Sequence, residues 1–262
     1  MPVFPQLSTG ALAQFPLQKR VSQRVVANLM PDGSMVKFLD PGGSSLEWDL
    51  QFGGLSAAEA SALENFFHEC EGDLRSFVFV DPTSNLVAWS EDLSEDAWDV
   101  GPMLILEDGR SDPLGGTRGY SVRNEGGASQ ALRQTVNAPA ELQYCVSCWL
   151  RSVTTDRIIL LAGAEQRERA IGPNWRRISA VTSVPADSTF VRFGLELRAG
   201  QAVELFGFQA EAQAGASGYK TTGAASGIYP EARFGQPSIR ITAEGPNCYA
   251  CRIRIVSHGN IR

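Results

Sequence analysis

The sequence predicts an all-β protein with one short helix, organised as two domains with one interrupting the other. Three observations predict it. The 262 residues include 26 Gly and 14 Pro, roughly 15% of the chain against an average of about 12%, a composition of many turns. Short Val-, Leu- and aromatic-rich runs recur between those turns, and a single stretch has helical spacing. Charge divides by segment: residues 1–84 carry 5 basic and 10 acidic residues, net −5, residues 229–262 carry 5 and 2, net +3, and the middle is net −4. Ends of opposite sign fit packing together with the middle as an insertion, although a surface charge pair contributes only about 0–1 kcal/mol.

The elements follow in order. Pro2, Pro5 and Pro16 keep the start extended. Val21–Leu29, the turn Pro31-Asp32-Gly33-Ser34 and Met35–Leu39 read as a hairpin. Asp40-Pro41-Gly42-Gly43 reads as a second turn. Ser45–Phe52 then alternates, placing Leu46, Trp48, Leu50 and Phe52 on one face of a half-buried strand. Ser56-Ala57-Ala58-Glu59 is a capping box, in which Ser accepts from a free backbone N–H and Glu reaches back. Leu63, Phe66, Phe67 and Cys70 make the buried stripe of the helix it opens, and Gly72 is its stop. Arg75–Val80 is a buried strand closed by Asp81-Pro82.

From residue 85 to 228 the texture changes. Turns such as Asp112-Pro113, Gly115-Gly116, Gly126-Gly127, Gly172-Pro173 and one at Pro185 separate about eight runs. These are Leu104–Leu106, Tyr120–Arg123, Leu132–Val136, Tyr144–Leu150, Arg157–Ala162, Arg176–Val181, Phe190–Leu197 and Ala202–Gln209. So many strands with no helix predict an antiparallel sandwich. Tyr219–Gly227 is small and polar, like a linker. Ser238–Thr242, the turn Gly245-Pro246-Asn247 and Cys248–Val256 form a closing hairpin.

Several classes fall away. Hydrophobic residues make up 43%, charged residues 20% and the net charge is −6, a globular composition with no basic block for phosphate neutralisation, so no nucleic-acid partner is expected. The longest apolar run, Ile158–Ala164, is far short of the ~20 residues of a membrane span, so no membrane insertion is expected. The opening MPVFPQLSTG has neither a basic nor an apolar leader region, so no signal peptide is expected. Five cysteines, an odd number in a chain able to build a core, read as reduced thiols in a protein made in the cytosol.

Few residue patterns suggest chemistry. Cys145-Val-Ser-Cys148 and Cys248-Tyr-Ala-Cys251 together have the ligands of a four-thiolate zinc or iron–sulfur site. Both lie in strand-like runs, however, where i and i+3 face opposite ways, so buried free thiols are the favoured reading and no metal is expected. His68 and His258 lack any nucleophile signature around them. Glu91, Asp92, Glu95, Asp96 and Asp99 cluster as calcium ligands or paired glycosidase carboxylates would, but without a calcium-loop pattern, and a solvated turn is the favoured reading. The aromatics Tyr144, Trp149, Trp175, Phe190, Phe193, Phe206 and Phe208 fall on strands. Most such rings are core; Trp149 and Tyr144 are the expected exposed stacking platforms for a sugar.

Two resemblances cover nearly the whole chain. Residues 4–84 resemble the N-terminal hub region of phage distal tail and minor tail proteins in Phe4-Pro5-x-Leu7, the Asp32-Gly33 turn, the Trp48 strand, the helix LSAAEASALENFFHECEG and the exit Phe77-Val-Phe-Val-Asp-Pro82. Residues 85–228 resemble the carbohydrate-binding-module-like jelly rolls of phage tail proteins in four ordered stretches. These are Asn85–Leu93 with Trp98, Tyr144–Leu150, Trp175-Arg-Arg-Ile178, and Phe206–Glu211 with Gly215 and Tyr219-Lys-Thr221. Ala232-Arg233-Phe234 and the final hairpin resemble strands that complete the hub. The resemblance implies a hub-type β-barrel, residues 1–84 plus 229–262, interrupted by a jelly roll, residues 85–228. It implies a non-enzymatic structural component of the virion tail, assembled in the host cytoplasm. Its implied partners are itself as a hexameric ring, tail-tube and baseplate hub proteins, and host surface polysaccharide. No catalytic residues and no cofactor come with it. The alternatives are a glycan-degrading tail enzyme using Glu91, Asp92 or Asp99, and a cellular carbohydrate-binding protein.

Overall fold

The computed structural model describes residues 1–183, 188–224 and 226–258. The turn expected at Pro185 lies outside the described residues. The protein is nearly all β with one helix, and it divides into two compact units, Met1–Asp81 with the segment from Ile228, and Pro82–Gly227. Among the described residues no helix is long and apolar enough to cross a membrane.

The first unit comprises β1 (Gln18–Leu29), β2 (Met35–Leu55), α1 (Ala57–Glu69) and β3 (Phe77–Val80). The second comprises β4 (Asp99–Val100), β5 (Leu104–Arg110), β6 (Gly119–Asn124), β7 (Gln130–Val136), β8 (Gln143–Arg151), β9 (Arg157–Ala162), β10 (Glu165–Ala170), β11 (Arg176–Ser183), β12 (Val191–Leu197) and β13 (Ala202–Glu211). The first unit is completed by β14 (Ile228–Phe234), β15 (Ile241–Gly245) and β16 (Cys248–His258).

In the first unit the strands run β1-β2-β16-β14-β3, with β15 also on β16. The ladder from β2 to β16 joins the acidic and basic ends of the chain, and Arg252 forks onto both oxygens of Asp49 at 2.8 and 2.7 Å. Leu46, Trp48, Leu50 and Phe52 are buried on one face with Ile253 and Ile255. The capping box forms as expected, and Leu63, Phe66, Phe67 and Cys70 bury the helix stripe. Rings fill the space between helix and sheet: Phe66 lies 5.1 Å from Phe77, Phe77 5.1 Å from Phe234, and Trp48 4.9 Å from Phe79. Phe4 joins this cluster, and its N–H donates to Val78 O at 3.0 Å.

Two expectations are corrected here. The expected barrel is an open path among the described residues, running from β1 to β3, whose outer edge carries only a parallel bridge from Val3 to Val78. The expected turn at Asp40–Gly43 is absent, and the chain passes through it as part of β2. Ser22 pairs with Ser45 but Arg24 with Asp40, so residues 41–44 bulge from the ladder. Such a bulge tolerates a proline because its missing N–H falls outside the paired positions.

The second unit is an antiparallel jelly-roll sandwich of two sheets, β10-β9-β12-β7-β4 and β11-β8-β13-β6-β5. Tyr144, Val146, Cys148 and Leu150 of β8 are fully buried, as are Leu160 of β9 and Phe193, Leu195 and Leu197 of β12. Period-two alternation therefore puts Cys145, Ser147, Trp149 and Arg151 on the other face of β8. The segment leading into the sandwich is tied down by two buried amides. Asn85 donates to Phe208 O at 2.8 Å and Lys220 O at 3.0 Å while accepting from Val87 and Ala210 N–H. Gln134 donates to Ala88 O and accepts from its N–H. The eight expected runs are all strands. The two-residue β4 and the polar β10 were not expected; both are edge strands, where no apolar alternation is required.

Candidate functional site

The outer face of the sheet β11-β8-β13-β6-β5 gathers the polar and aromatic groups of the second unit. Pairing register sets them in rows. The first row runs Arg177 of β11, Trp149 of β8 and Phe206 of β13. The Arg177 guanidinium lies 4.6 Å from the Trp149 ring centroid, a cation–π contact. Its Nη2 donates to Ser147 Oγ at 2.9 Å and its Nη1 to Ser217 O, while its Nε is buried without a hydrogen-bond partner. Tyr219 stands edge-on to Trp149 at 5.1 Å and 90°, with its hydroxyl 3.1 Å from Ser90 Oγ. Gly207 makes room for that ring: at φ +64° it takes the left-handed conformation, and a Cβ there would sit 2.9 Å from the Tyr219 ring.

The second row is polar. Arg151 of β8, Glu204 of β13, Ser121 of β6 and Glu107 of β5 are in register. Arg151 Nε donates to Glu204 Oε2 at 2.7 Å and Nη2 to Ser111 Oγ at 3.0 Å. The Arg151 guanidinium also lies 4.7 Å from the ring centroid of half-buried Trp175. Beside this pair opens a cleft of about 460 Å³, whose polar walls are Ser121, Arg151, Ser152, Thr154 and Glu204. It combines hydroxyls, a forked cation, a carboxylate and a neighbouring aromatic ring.

A third row locks the segment after β13 onto the sheet. Glu211, 3% exposed, accepts from Lys220 Nζ at 2.7 Å, from Ser217 N–H at 3.0 Å and from the Ser217 hydroxyl. Burial pushes its carboxyl up, but the Lys220 and Ser217 hydrogen bonds outweigh that and hold it below the usual carboxylate range. The resemblance stretch Phe206–Glu211 with Tyr219-Lys-Thr221 is thus the lock that covers one end of this face.

The expected site residues separate. Trp149 is half-buried on the outer face, with Arg177 stacked on its ring. Tyr144 is not an exposed platform: it is 0% exposed in the core, its hydroxyl donating to Pro139 O at 2.7 Å. Five positions along a strand put two side chains on opposite faces, so Tyr144 and Trp149 could not both face water. Phe193, Phe206 and Phe208 are buried, while Trp175 is half-buried and Phe190 is 40% exposed. Arg151, Glu204 and Arg177 were not singled out from the sequence. The available signal was the strand Tyr144–Arg151 itself, whose odd positions share the face of Trp149.

The first cysteine pair does not converge on one ligand position. Cys145 and Cys148 are on opposite faces of β8, and Cys248 and Cys251 are on β16 of the other unit. Among the described residues no three His, Cys, Asp or Glu side chains are placed to hold a metal ion. Burial raises the Cys145 thiol to about 11 and pushes Cys148 up further. The acidic cluster is dispersed as well. Glu91 pairs with Arg118, Asp99 with Arg133 at 2.8 Å, and Asp92 accepts from Ser94 and Tyr120. Those bonds, from the Ser94 hydroxyl above all, hold Asp92 below its usual range.

No family model matches the chain, and no curated protein matches it. Solved structures to which it is similar include the enzymatically active domain of tailspike protein 4 of bacteriophage CBA120, with a TM-score of 0.40 and 12% identity over 51% of this chain and 22% of that one. The chain thus spans 22% of that protein's length. The CBM22-1 xylan-binding domain of Paenibacillus barcinonensis Xyn10C is similar with a TM-score of 0.37 and 11% identity over 55% of this chain and 98% of that one. TmCBM61, solved in complex with β-1,4-galactotriose, is similar with a TM-score of 0.36 and 19% identity over 49% of this chain and 98% of that one.

Proposed function

We propose that residues 82–227 form a glycan-binding module carried by a structural component of a phage tail. The observation that carries the first half is the cleft beside Arg151 and Glu204, with Trp175 against the guanidinium and hydroxyls along its walls. Pyranose rings offer apolar C–H faces to an aromatic ring and hydroxyls to planar forked groups; the cleft walls supply the forked groups and hydroxyls, and Trp175, beside Arg151, supplies the ring. Trp149, with one face occupied by Arg177, is the second aromatic contact of the same sheet face. Because the Arg151 charge is matched by Glu204, the cleft suits neutral sugars better than anionic ones. The module is read as a binder and not as a hydrolase, because Glu91, Asp92 and Asp99 are each tied to a separate partner, and Asp92 is held below its usual range, the opposite of what a general acid needs.

The tail role rests on the sequence resemblance of residues 4–84 and of the closing strands to hub proteins. In that reading the first unit assembles into a hexameric ring between tail tube and baseplate, in the host cytoplasm, and the module contacts host surface polysaccharide. A glycan array probed with the full chain tests the binding. The expected result is retention on a subset of host polysaccharides, with at least a tenfold loss in Trp175→Ala and in Arg151→Ala. No retention on any of them would remove the glycan reading, and oligosaccharide released into solution would replace it with an enzymatic one.

A further inference from the structure

A groove of about 600 Å³ lies on the outer face of the first unit's sheet, the side opposite buried Trp48, Leu50, Ile253 and Ile255. Register builds its floor in rows. Arg254 of β16 stands opposite Asp49 of β2, and Arg252 opposite Gln51. Across the other edge of β16, Thr242 of β15 stands opposite Ala250 and Ile241 opposite Cys251, so Arg240, one residue earlier, falls beside Arg252. Gln236 fixes the wall that follows β14. Its Nε2 donates to Ser238 O at 2.9 Å and Arg252 O at 3.2 Å, and its Oε1 accepts from Arg254 N–H at 3.1 Å.

The charge of the groove is unbalanced. The guanidiniums of Arg240, Arg252 and Arg254 line it against the single carboxylate of Asp49. Two positive charges are therefore in surplus, on a chain whose net charge is −6. Asp49 is occupied by Arg252, which forks onto it through Nε and Nη2. Arg254 has only long ion pairs, 3.5 Å to Glu47 and 3.9 Å to Asp49. Arg240 is exposed and makes no ion pair among the described residues. Like charges gathered in one groove repel, and an anion set between them relieves that repulsion.

The strand beside the groove supplies a second, independent observation. β15 pairs with β16 on one edge, and its other edge has no strand partner among the described residues. An open edge is a template for a further extended chain, in which main-chain hydrogen bonds give affinity and alternate side chains give specificity. The spacing agrees. Arg252 and Arg254 are two residues apart on β16, roughly 7 Å, which is also the repeat of same-face side chains along any extended chain. Guanidinium forks match carboxylates.

We propose that this groove binds an extended acidic segment of a partner protein, added at the open edge of β15 with carboxylates at alternate positions turned toward Arg240, Arg252 and Arg254. A free inorganic anion or an acidic polysaccharide would use the guanidiniums but leave the edge unused, so both are the less suitable occupants. The surface lies wholly within the first unit and rests on neither the glycan nor the ring reading.

The test titrates the full chain with a fluorescent peptide of alternating Glu and Thr and follows its anisotropy. Saturable binding is expected, at least tenfold weaker for the Gln-Thr peptide and at least tenfold weaker in Arg240→Gln/Arg254→Gln. These two side chains are exposed or only loosely paired, so an unchanged thermal melt is expected in the variant. The fully N-methylated Glu-Thr peptide keeps every carboxylate but can donate no hydrogen bond to the edge, and it too is expected to bind at least tenfold more weakly. No saturable binding, or equal binding by the arginine variant, would overturn the site. Equal binding of the N-methylated peptide would overturn strand addition. Polygalacturonate binding tightly where the peptide does not would overturn the protein partner and assign the groove to acidic glycan.

Discussion

At the scale of single residues, the N-terminal strap and the helix start are coupled through Glu59. Hydrogen bonds from the Ser8 hydroxyl, the Ser56 N–H and hydroxyl, and the Ser8 N–H hold its carboxyl at about 2, against an ordinary 4.5. A depressed folded-state pKa contributes stability that is fully present above the unfolded value and is lost as pH falls through the folded one. Denaturant titrations between pH 5 and pH 2 are therefore expected to show falling stability with a component that Glu59→Gln removes, at a cost of about 1 kcal/mol at neutral pH. A variant with the wild-type pH slope would contradict the coupling. Gly194 is a sharper case: a Cβ there would lie 2.1 Å from Leu132 O and 2.6 Å from Arg133 Cα, both backbone. Gly194→Ala is expected to cost several kcal/mol and to abolish the cooperative melt of the second unit, since neither strand can withdraw without breaking its ladder. The buried thiols give a third expectation. Burial raises Cys70, Cys145 and Cys251 to about 11, so thiol reagents at neutral pH should modify half-buried Cys248 first; uniform fast labelling of all five would contradict the placement.

At the scale of elements, legibility followed local periodicity. The helix was readable because its cap, stripe and stop all lie within 17 residues of one another; the structure places Ser56, Glu59 and Phe66 in those roles, while the left-handed turn that ends the helix begins at Glu71, φ +53°, one residue before the expected Gly72. The strands of the sandwich were readable where one face is apolar. β10, Glu165–Ala170, was not, because an edge strand in register with β9 needs only its backbone. The bulge at residues 41–44 resembled a turn because Pro-Gly-Gly is turn chemistry, and only the ladder on either side makes it a kink in one strand. The glycan face was half legible. Trp149 was visible as an aromatic on a strand, but the ion pair of Arg151 with Glu204 joins strands 53 positions apart, a pairing that no local pattern encodes. The Arg252–Asp49 fork between β16 and β2 is similarly long-range, yet the opposite charges of the two chain ends hinted at it. Because Arg252 is largely exposed, a double-mutant cycle on that pair is expected to give no more than about 1 kcal/mol.

At the scale of the whole molecule, one unit is built from residues 1–81 and the segment from Ile228, and a second interrupts it. Ile228 pairs with Val80 in the β14–β3 ladder, so the points where the chain leaves and re-enters the first unit are neighbours. Residues 82–227 expressed alone are accordingly expected to melt as one cooperative unit, and the first unit with a short Gly-Ser bridge in their place is expected to fold. Failure of both would contradict the division. The central claim is that the second unit binds glycan through the Arg151–Glu204 cleft, and the most direct test is equilibrium titration of the full chain with purified host surface polysaccharide, in wild type and in Trp175→Ala. Saturable binding that weakens at least tenfold in the variant, with its melt unchanged, is the expected result; equal affinity in both proteins, or no binding by either, would contradict glycan binding at this cleft.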